Sequence, residues 1–165
     1  MNRPRTRLDS FILRVTAQRD ILNMLADQAM LPPEGDVLEL GLGNGRTYSH
    51  LCALFPERRI IAFDRAVAAH GPSIPPEANT VLGEISQSAQ AFVGRGAALV
   101  HADIGTGYDE KDAVTLQWLP GLIVGLLAPG GIAMSGLRLQ HPALDELEQP
   151  VAARQSHHGL YRKRG

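Results

Sequence analysis

Cysteine occurs once in the 165 residues, at Cys52. That excludes a disulfide framework and a multi-cysteine metal site, and it fits a reducing compartment. Cys52 falls in an apolar helical pattern and reads as a small core residue. Excess charge of one sign is also lacking: 16 Lys and Arg stand against 17 Asp and Glu, for a net charge of -1. Such a chain projects no field favouring general nucleic-acid binding. Basic residues do gather at the two ends, at Arg3, Arg5 and Arg7 and again at Arg162, Lys163 and Arg164. They read as solubilising termini, the alternative being a patch for an anionic partner. Long apolar runs are missing too. The longest, LPGLIVGLLAPGG, is interrupted by Gly and Pro and falls well short of the roughly 20 residues a membrane helix needs. No continuous apolar segment or small-residue cleavage site follows the basic start. A cytoplasmic protein without membrane association is therefore expected. No repeat or long linker divides the chain, so residues 1–165 are expected to form one domain with one site.

What the chain does have is glycine, concentrated in the stretch VLELGLGNGRT at residues 37–47. A short buried strand is followed by Gly41, Gly43 and Gly45 at alternate positions. Glycines so placed turn the chain tightly and present backbone N–H groups with no Cβ in the way. They also open a helix, whose N-terminus favours an anionic group.

Short apolar runs alternate with helical patterns along the whole chain, which predicts an α/β fold with a mostly parallel, doubly wound sheet. Residues 7 to about 30 read as an amphipathic helix with Leu8, Phe11, Ile12, Val15, Leu22 and Ala26 on one side. Arg19 shares that side, where it must either snorkel to water or meet a partner. Pro32 and Pro33 end this N-terminal segment. DVLELG is the first strand, NGRTYSHLCALF a helix, RRIIAFD the second strand, NTVLGE the third and AALVHAD the fourth. A short helix with Pro120 near its first turn, a Gly-rich turn and a fifth strand, IAMSG, follow. The tail HHGLYRKR is read as one more strand at the sheet edge.

Strands one to four thus end at Gly41, Asp64, Glu84 and Asp103. Ligands of open parallel sheets bind beyond the carboxyl ends of the strands, so three acids and a glycine loop gather on one rim. Asp64, 19 positions after Gly45, is placed for a carboxylate to accept hydrogen bonds from two ribose hydroxyls. Glu84 is placed to meet a base edge. The dinucleotide pattern G-x-G-x-x-G is not met, because Arg46 stands at its third glycine, and a P-loop Gly-Lys-Ser/Thr is absent.

In these residues the chain resembles the class I S-adenosylmethionine-dependent methyltransferases. The acid followed by alternating glycines is ELGLGNG, the acid ending strand two is in IIAFDR, and the third motif is LGEI. The acid after strand four is in VHAD, and the Pro-Gly-Gly turn before strand five is in LLAPGGIAMSG. The likeness runs in order over residues 36–137. It implies a Rossmann-like fold with an extra N-terminal helix and a shortened C-terminal part, S-adenosylmethionine as methyl donor and S-adenosylhomocysteine as product. By the same resemblance Gly41, Leu42, Gly43, Asn44 and Gly45 would lie against the methionine part of the donor, and Asp64 would hold the ribose. Arg65 would lie near the adenine, Glu84 and Ile85 would border the base, and Glu39 would help orient the amino-acid end. Arg19 could then reach Glu39 or the donor carboxylate. Asp103 would also border the donor, and it and His101, which share a face of strand four, are the candidate catalytic bases. His101 also reads as a buried, hydrogen-bonded histidine, and His157 and His158 as solvent-facing, the alternative being that they reach the mouth of the site.

The Asn-Pro-Pro-aromatic stretch of amide and adenine N-methyltransferases is missing, as are the acid pair of catechol-type enzymes after strand five and a nucleophilic cysteine, so no metal is expected. After strand five the chain is short, which points either to a trimmed fold or to an edge covered by a second copy in a homodimer. The acceptor has no inserted cap to define it. A small molecule is favoured over protein or nucleic acid, with a non-catalytic donor-binding subunit or sensor as the alternative.

Overall fold

A computed structural model describes residues 4–165. Arg3, one of the basic residues at the start, lies outside the described residues; Arg5 is exposed. The chain forms helix α1 (Arg7–Asp27), strand β1 (Val37–Leu40), α2 (Arg46–Leu54), β2 (Ile60–Asp64), β3 (Thr80–Leu82), α3 (Ile85–Ser88), β4 (Ala97–Ala102) and α4 (Asp109–Leu126). It ends in β5 (Leu127–Ser135), β6 (Leu144–Glu146), a short 3₁₀ helix (Val151–Gln155) and β7 (Gly159–Lys163).

The strands make one sheet in the order β3-β2-β1-β4-β5-β7-β6. β1 to β5 are mutually parallel, and β7 runs antiparallel to both β5 and β6. A parallel sheet covered on both faces needs apolar residues on both sides of each strand, and β4, AALVHA, is buried along its whole length. One face packs α1 and α2, with Ile21, Leu25 and Leu51 against Val37, Leu99 and Met134. The other packs Leu119, Ile123 and Leu126 of α4 against Leu38, Val100 and Phe63.

Three expectations change. Pro120 sits inside α4, not near its first turn. The helix starts earlier, at an acidic turn of Asp109, Glu110 and Asp112 that suits a helix N-terminus. Burial of Leu119, Leu122 and Ile123 offsets the hydrogen bond the proline removes. The tail strand β7 is internal, and the edge belongs to the three-residue β6. Lys163 on β7 donates to the carbonyls of Val124 and Leu127 at 2.8 and 2.7 Å, where α4 ends, so its charge is used inside the fold. On the β5 side the sheet carries the chain's own β7 and then β6, which is its outer strand. The shortened C-terminal part contains the 3₁₀ helix, whose Ala153 is buried in the same core cluster as the α1 residues.

α1 begins with a capping box. The Thr6 hydroxyl accepts from the Asp9 N–H at 3.1 Å, and the Asp9 carboxylate accepts from the Thr6 N–H at 2.8 Å. Its buried face is Ala17, Gln18, Ile21, Leu22 and Leu25, one residue round from the expected stripe. Leu8 and Ile12 are exposed.

Candidate active site

Strand order reverses between β1 and β4, and a cleft of about 530 Å³ opens there beyond their carboxyl ends. Glu39, the loop residues Gly41 to Asn44, Asp64, Arg65, Glu84, Ile85 and Asp103 all line it. Gly45, Arg19 and His101 do not.

The glycine loop takes positive φ at Gly41, Gly43 and Gly45. At Gly41 (φ +92°) a Cβ would stand 2.7 Å from Ile104 Cγ2 and 3.1 Å from the Asp103 carbonyl oxygen, so only glycine lets β1 pass the tip of β4. At Gly43 (φ +53°) a Cβ would meet nothing within 4 Å, and this residue borders the cleft. The Asp64 carboxylate fixes the loop: Oδ2 accepts from the Gly43 N–H at 3.0 Å and Oδ1 from the Arg65 N–H at 2.6 Å. Gly45 is left-handed and starts α2. Arg65 then spans to Glu84 at 2.7 and 3.0 Å, joining the tips of β2 and β3. The result is a bare backbone ledge beside a carboxylate and a polar rim, and its residues fit an adenosyl ligand with a charged amino-acid end.

Below the ledge, Glu39 and His101 form a sealed pair, Oε2 to Nδ1 at 2.8 Å, with side chains 1% and 0% exposed. Burial pushes the Glu39 carboxyl above its ordinary value, and His101 offsets only part of that. For His101, burial opposes the protonated form, but the Glu39 carboxylate outweighs it and the imidazole is raised. A sealed His101 cannot touch a methyl acceptor, so it is corrected from candidate base to support for Glu39.

Asp103 meets α1. Its Oδ2 accepts from Arg14 at 2.9 Å and from Gln18 at 2.8 Å. Arg19, expected on this side, pairs with its neighbour Asp20 at 2.7 Å and is 59% exposed. The correction follows from the one-residue rotation of the helix face: Arg14 and Gln18, four apart, point to the rim, and Arg19 points away. Beyond Asp103, the Asp112 carboxylate gathers the Thr106 N–H at 2.7 Å, the Thr106 hydroxyl at 2.8 Å and the Gly107 N–H at 3.2 Å. The backbone bond from Thr106 foremost holds the Asp112 carboxyl below its ordinary value.

His158 is the other departure. Read as solvent-facing, it is 5% exposed, and neither ring nitrogen has a hydrogen-bond partner among the described residues. Burial drives its pKa down to about 4, with His101 pushing the same way and Asp103 opposing. The sequence reading also missed Arg14 and Gln18. A polar residue four from Leu22, with Ile21 and Leu25 on the same face, was the available sign for Gln18. Among the described residues no three His, Cys, Asp or Glu cluster as a metal would require, and no helix is long and apolar enough to cross a membrane.

A family model described as S-adenosyl-L-methionine methyltransferase matches residues 5–163. Among solved structures, an S-adenosyl-L-methionine methyl transferase from Silicibacter pomeroyi DSS-3 is 40% identical, covering 97% of this chain and 100% of that one with a TM-score of 0.87. An O-methyltransferase family protein from Burkholderia thailandensis is 14% identical over 93% of this chain and 57% of that one, TM-score 0.56. A 16S rRNA (adenine(1408)-N(1))-methyltransferase from Catenulisporales acidiphilia, solved with its cosubstrate, is 17% identical over 97% and 93%, TM-score 0.50. The latter two share the fold. No curated protein matches the chain.

Proposed function

The chain belongs to the S-adenosyl-L-methionine methyltransferase family, and from that membership we propose that it transfers the methyl group of S-adenosylmethionine to a small-molecule acceptor in the cytoplasm. The observation that carries this reading is that the glycine ledge, Asp64 and Glu84 line one cleft of about 530 Å³. In this reading Gly41, Leu42, Gly43 and Asn44 lie along the methionine part, with Gly45 supporting the turn. The Asp64 carboxylate takes the ribose hydroxyls. Arg65, Glu84 and Ile85 border the adenine, and Glu39 with Asp103 faces the amino-acid end. When bound, the donor supplies an electrophilic methyl on a sulfonium. The chain's own task is then to align the acceptor and exclude water.

The engagement of Asp103 by Arg14 and Gln18, and the sealing of His101, leave neither free as a base and support a second reading, a donor-binding subunit without transfer activity. Two measurements test both. A thermal shift with S-adenosylmethionine, S-adenosylhomocysteine and NAD should show stabilisation by the first two; stabilisation by NAD alone overturns the family's ligand at this site. Release of S-adenosylhomocysteine with a small-molecule acceptor then separates transfer from binding.

A further inference from the structure

A second cleft, of about 630 Å³, lies beyond the carboxyl end of β5 and the start of β7, with Gly136, Gln149, Ser156, His157 and His158 in its lining. Its Gly136 stands beside Asp103, which lines the first cleft. A Cβ built on that glycine would stand 3.3 Å from Asp103 Oδ1 and 4.0 Å from His158 Nε2.

Hydrogen-bonding atoms shielded from water in this lining have no partner among the described residues: both ring nitrogens of the buried His158, and Oε1 of the half-buried Gln149. An unpartnered polar group in a protein interior is costly, so this pair points to a ligand. Gln149 is held in place by its amide, which donates to the His158 carbonyl at 2.6 Å. A neutral imidazole offers one acceptor and one donor, and a hydroxyl group complements both. The charges on the walls are matched, Arg138 with Glu146 at 3.1 Å and Arg154 with Glu148 at 3.9 Å, so the cleft has no surplus sign with which to select an ion.

We propose that this second cleft receives the methyl acceptor, a small uncharged compound bearing a hydroxyl group, and that His158 accepts the hydrogen bond of that hydroxyl with Gln149 beside it. This rests on the methyl-transfer reading and extends it, because the acceptor then lies across Gly136 from the cleft assigned to the donor.

The test uses the full chain with ¹³C-labelled histidine, saturated with S-adenosylhomocysteine and titrated with phenol, benzyl alcohol and cyclohexanol and with their methyl ethers. The expected result is that at least one alcohol shifts the His158 ring signals at millimolar concentration, its ether binding at least about tenfold more weakly. His158→Leu should abolish that binding with unchanged S-adenosylhomocysteine affinity and no loss of folding stability, which separates a ligand contact from a structural role. His158→Asn, which keeps an acceptor oxygen, should retain part of the binding. The proposal is overturned if no alcohol moves the His158 signals, if ethers bind as well as alcohols, or if His158→Leu binds alcohols like the parent. Failure of S-adenosylhomocysteine itself to bind would remove the methyl-transfer reading and this inference with it. Binding of S-adenosylhomocysteine without any alcohol at His158 would remove this inference alone.

Discussion

Glu39 on β1 and His101 on β4 are in register across neighbouring parallel strands and close a 2.8 Å hydrogen bond where both side chains are shielded from water. Burial raises the carboxyl, and the carboxylate in turn raises the imidazole. His101→Leu would leave a buried acid without its partner, and about 3–5 kcal/mol of stability should be lost. Glu39→Gln keeps a hydrogen bond to the ring and should cost about 1 kcal/mol. Urea unfolding of the three proteins checks this. A His101→Leu variant as stable as Glu39→Gln would mean that the pair is not a unit.

The contact of α1 with the rim separates two arginines on one helix. Gln18 and Arg14 both bind Asp103 Oδ2, whereas Arg19 stays with Asp20. Gln18→Leu should weaken S-adenosylhomocysteine binding about tenfold by freeing Asp103, in line with one hydrogen bond to a charged group. Arg19→Ala should change it by less than about twofold, as for an exposed ion pair. Calorimetric titration of the two variants decides. An effect at Arg19 equal to that at Gln18 would restore the role first expected for Arg19.

Much of this architecture was legible because its signals are local. The carboxyl ends of β1, β2 and β4 were visible as apolar runs stopping at Gly41, Asp64 and Asp103, and topology brings those ends together. The face of α1 was not legible. Leu8 and Ile12 are apolar yet exposed, while Gln18 is polar yet buried, so periodicity pointed one residue astray. His158 escaped for a different reason. It lies where β7 starts, and β7 inserts between β5 and β6, a long-range pairing that a histidine between His157 and Gly159 does not announce. Pro120 misled because a local rule about helix starts yielded to tertiary burial of Leu119 and Ile123.

Gly43 separates folding from binding within the loop. A Cβ there meets nothing within 4 Å, whereas at Gly41 it would meet Ile104 Cγ2 at 2.7 Å. Gly43→Ala should therefore cost only about 1–2 kcal/mol, from the positive φ, while weakening S-adenosylhomocysteine binding by about tenfold or more as its methyl enters the ledge. Gly41→Ala adds a clash between strand tips and should destabilise more. Melting curves with and without ligand measure both effects. Undiminished ligand stabilisation in Gly43→Ala would show that the ledge is not where the donor lies.

His158 makes stability depend on pH in a direction that can be worked out. Its imidazole is held down to about 4 from an ordinary 6.5, by burial first and then by His101, with Arg14 and His157 adding to that and Asp103 opposing it. Between those values the unfolded chain takes up a proton that the folded chain refuses, so the contribution of His158 to stability falls as pH drops from about 6.5 to 4. Below that range the deficit stays constant, at about 3 kcal/mol. The Glu39 carboxyl, raised by burial, acts in the opposite sense as the pH falls, so the difference between parent and His158→Leu isolates the histidine. At pH 7 the two should unfold at similar urea concentrations, and by pH 4.5 the variant should be the more stable. A gap that stays the same from pH 7 to 4.5 would show that this imidazole is not held neutral by its surroundings.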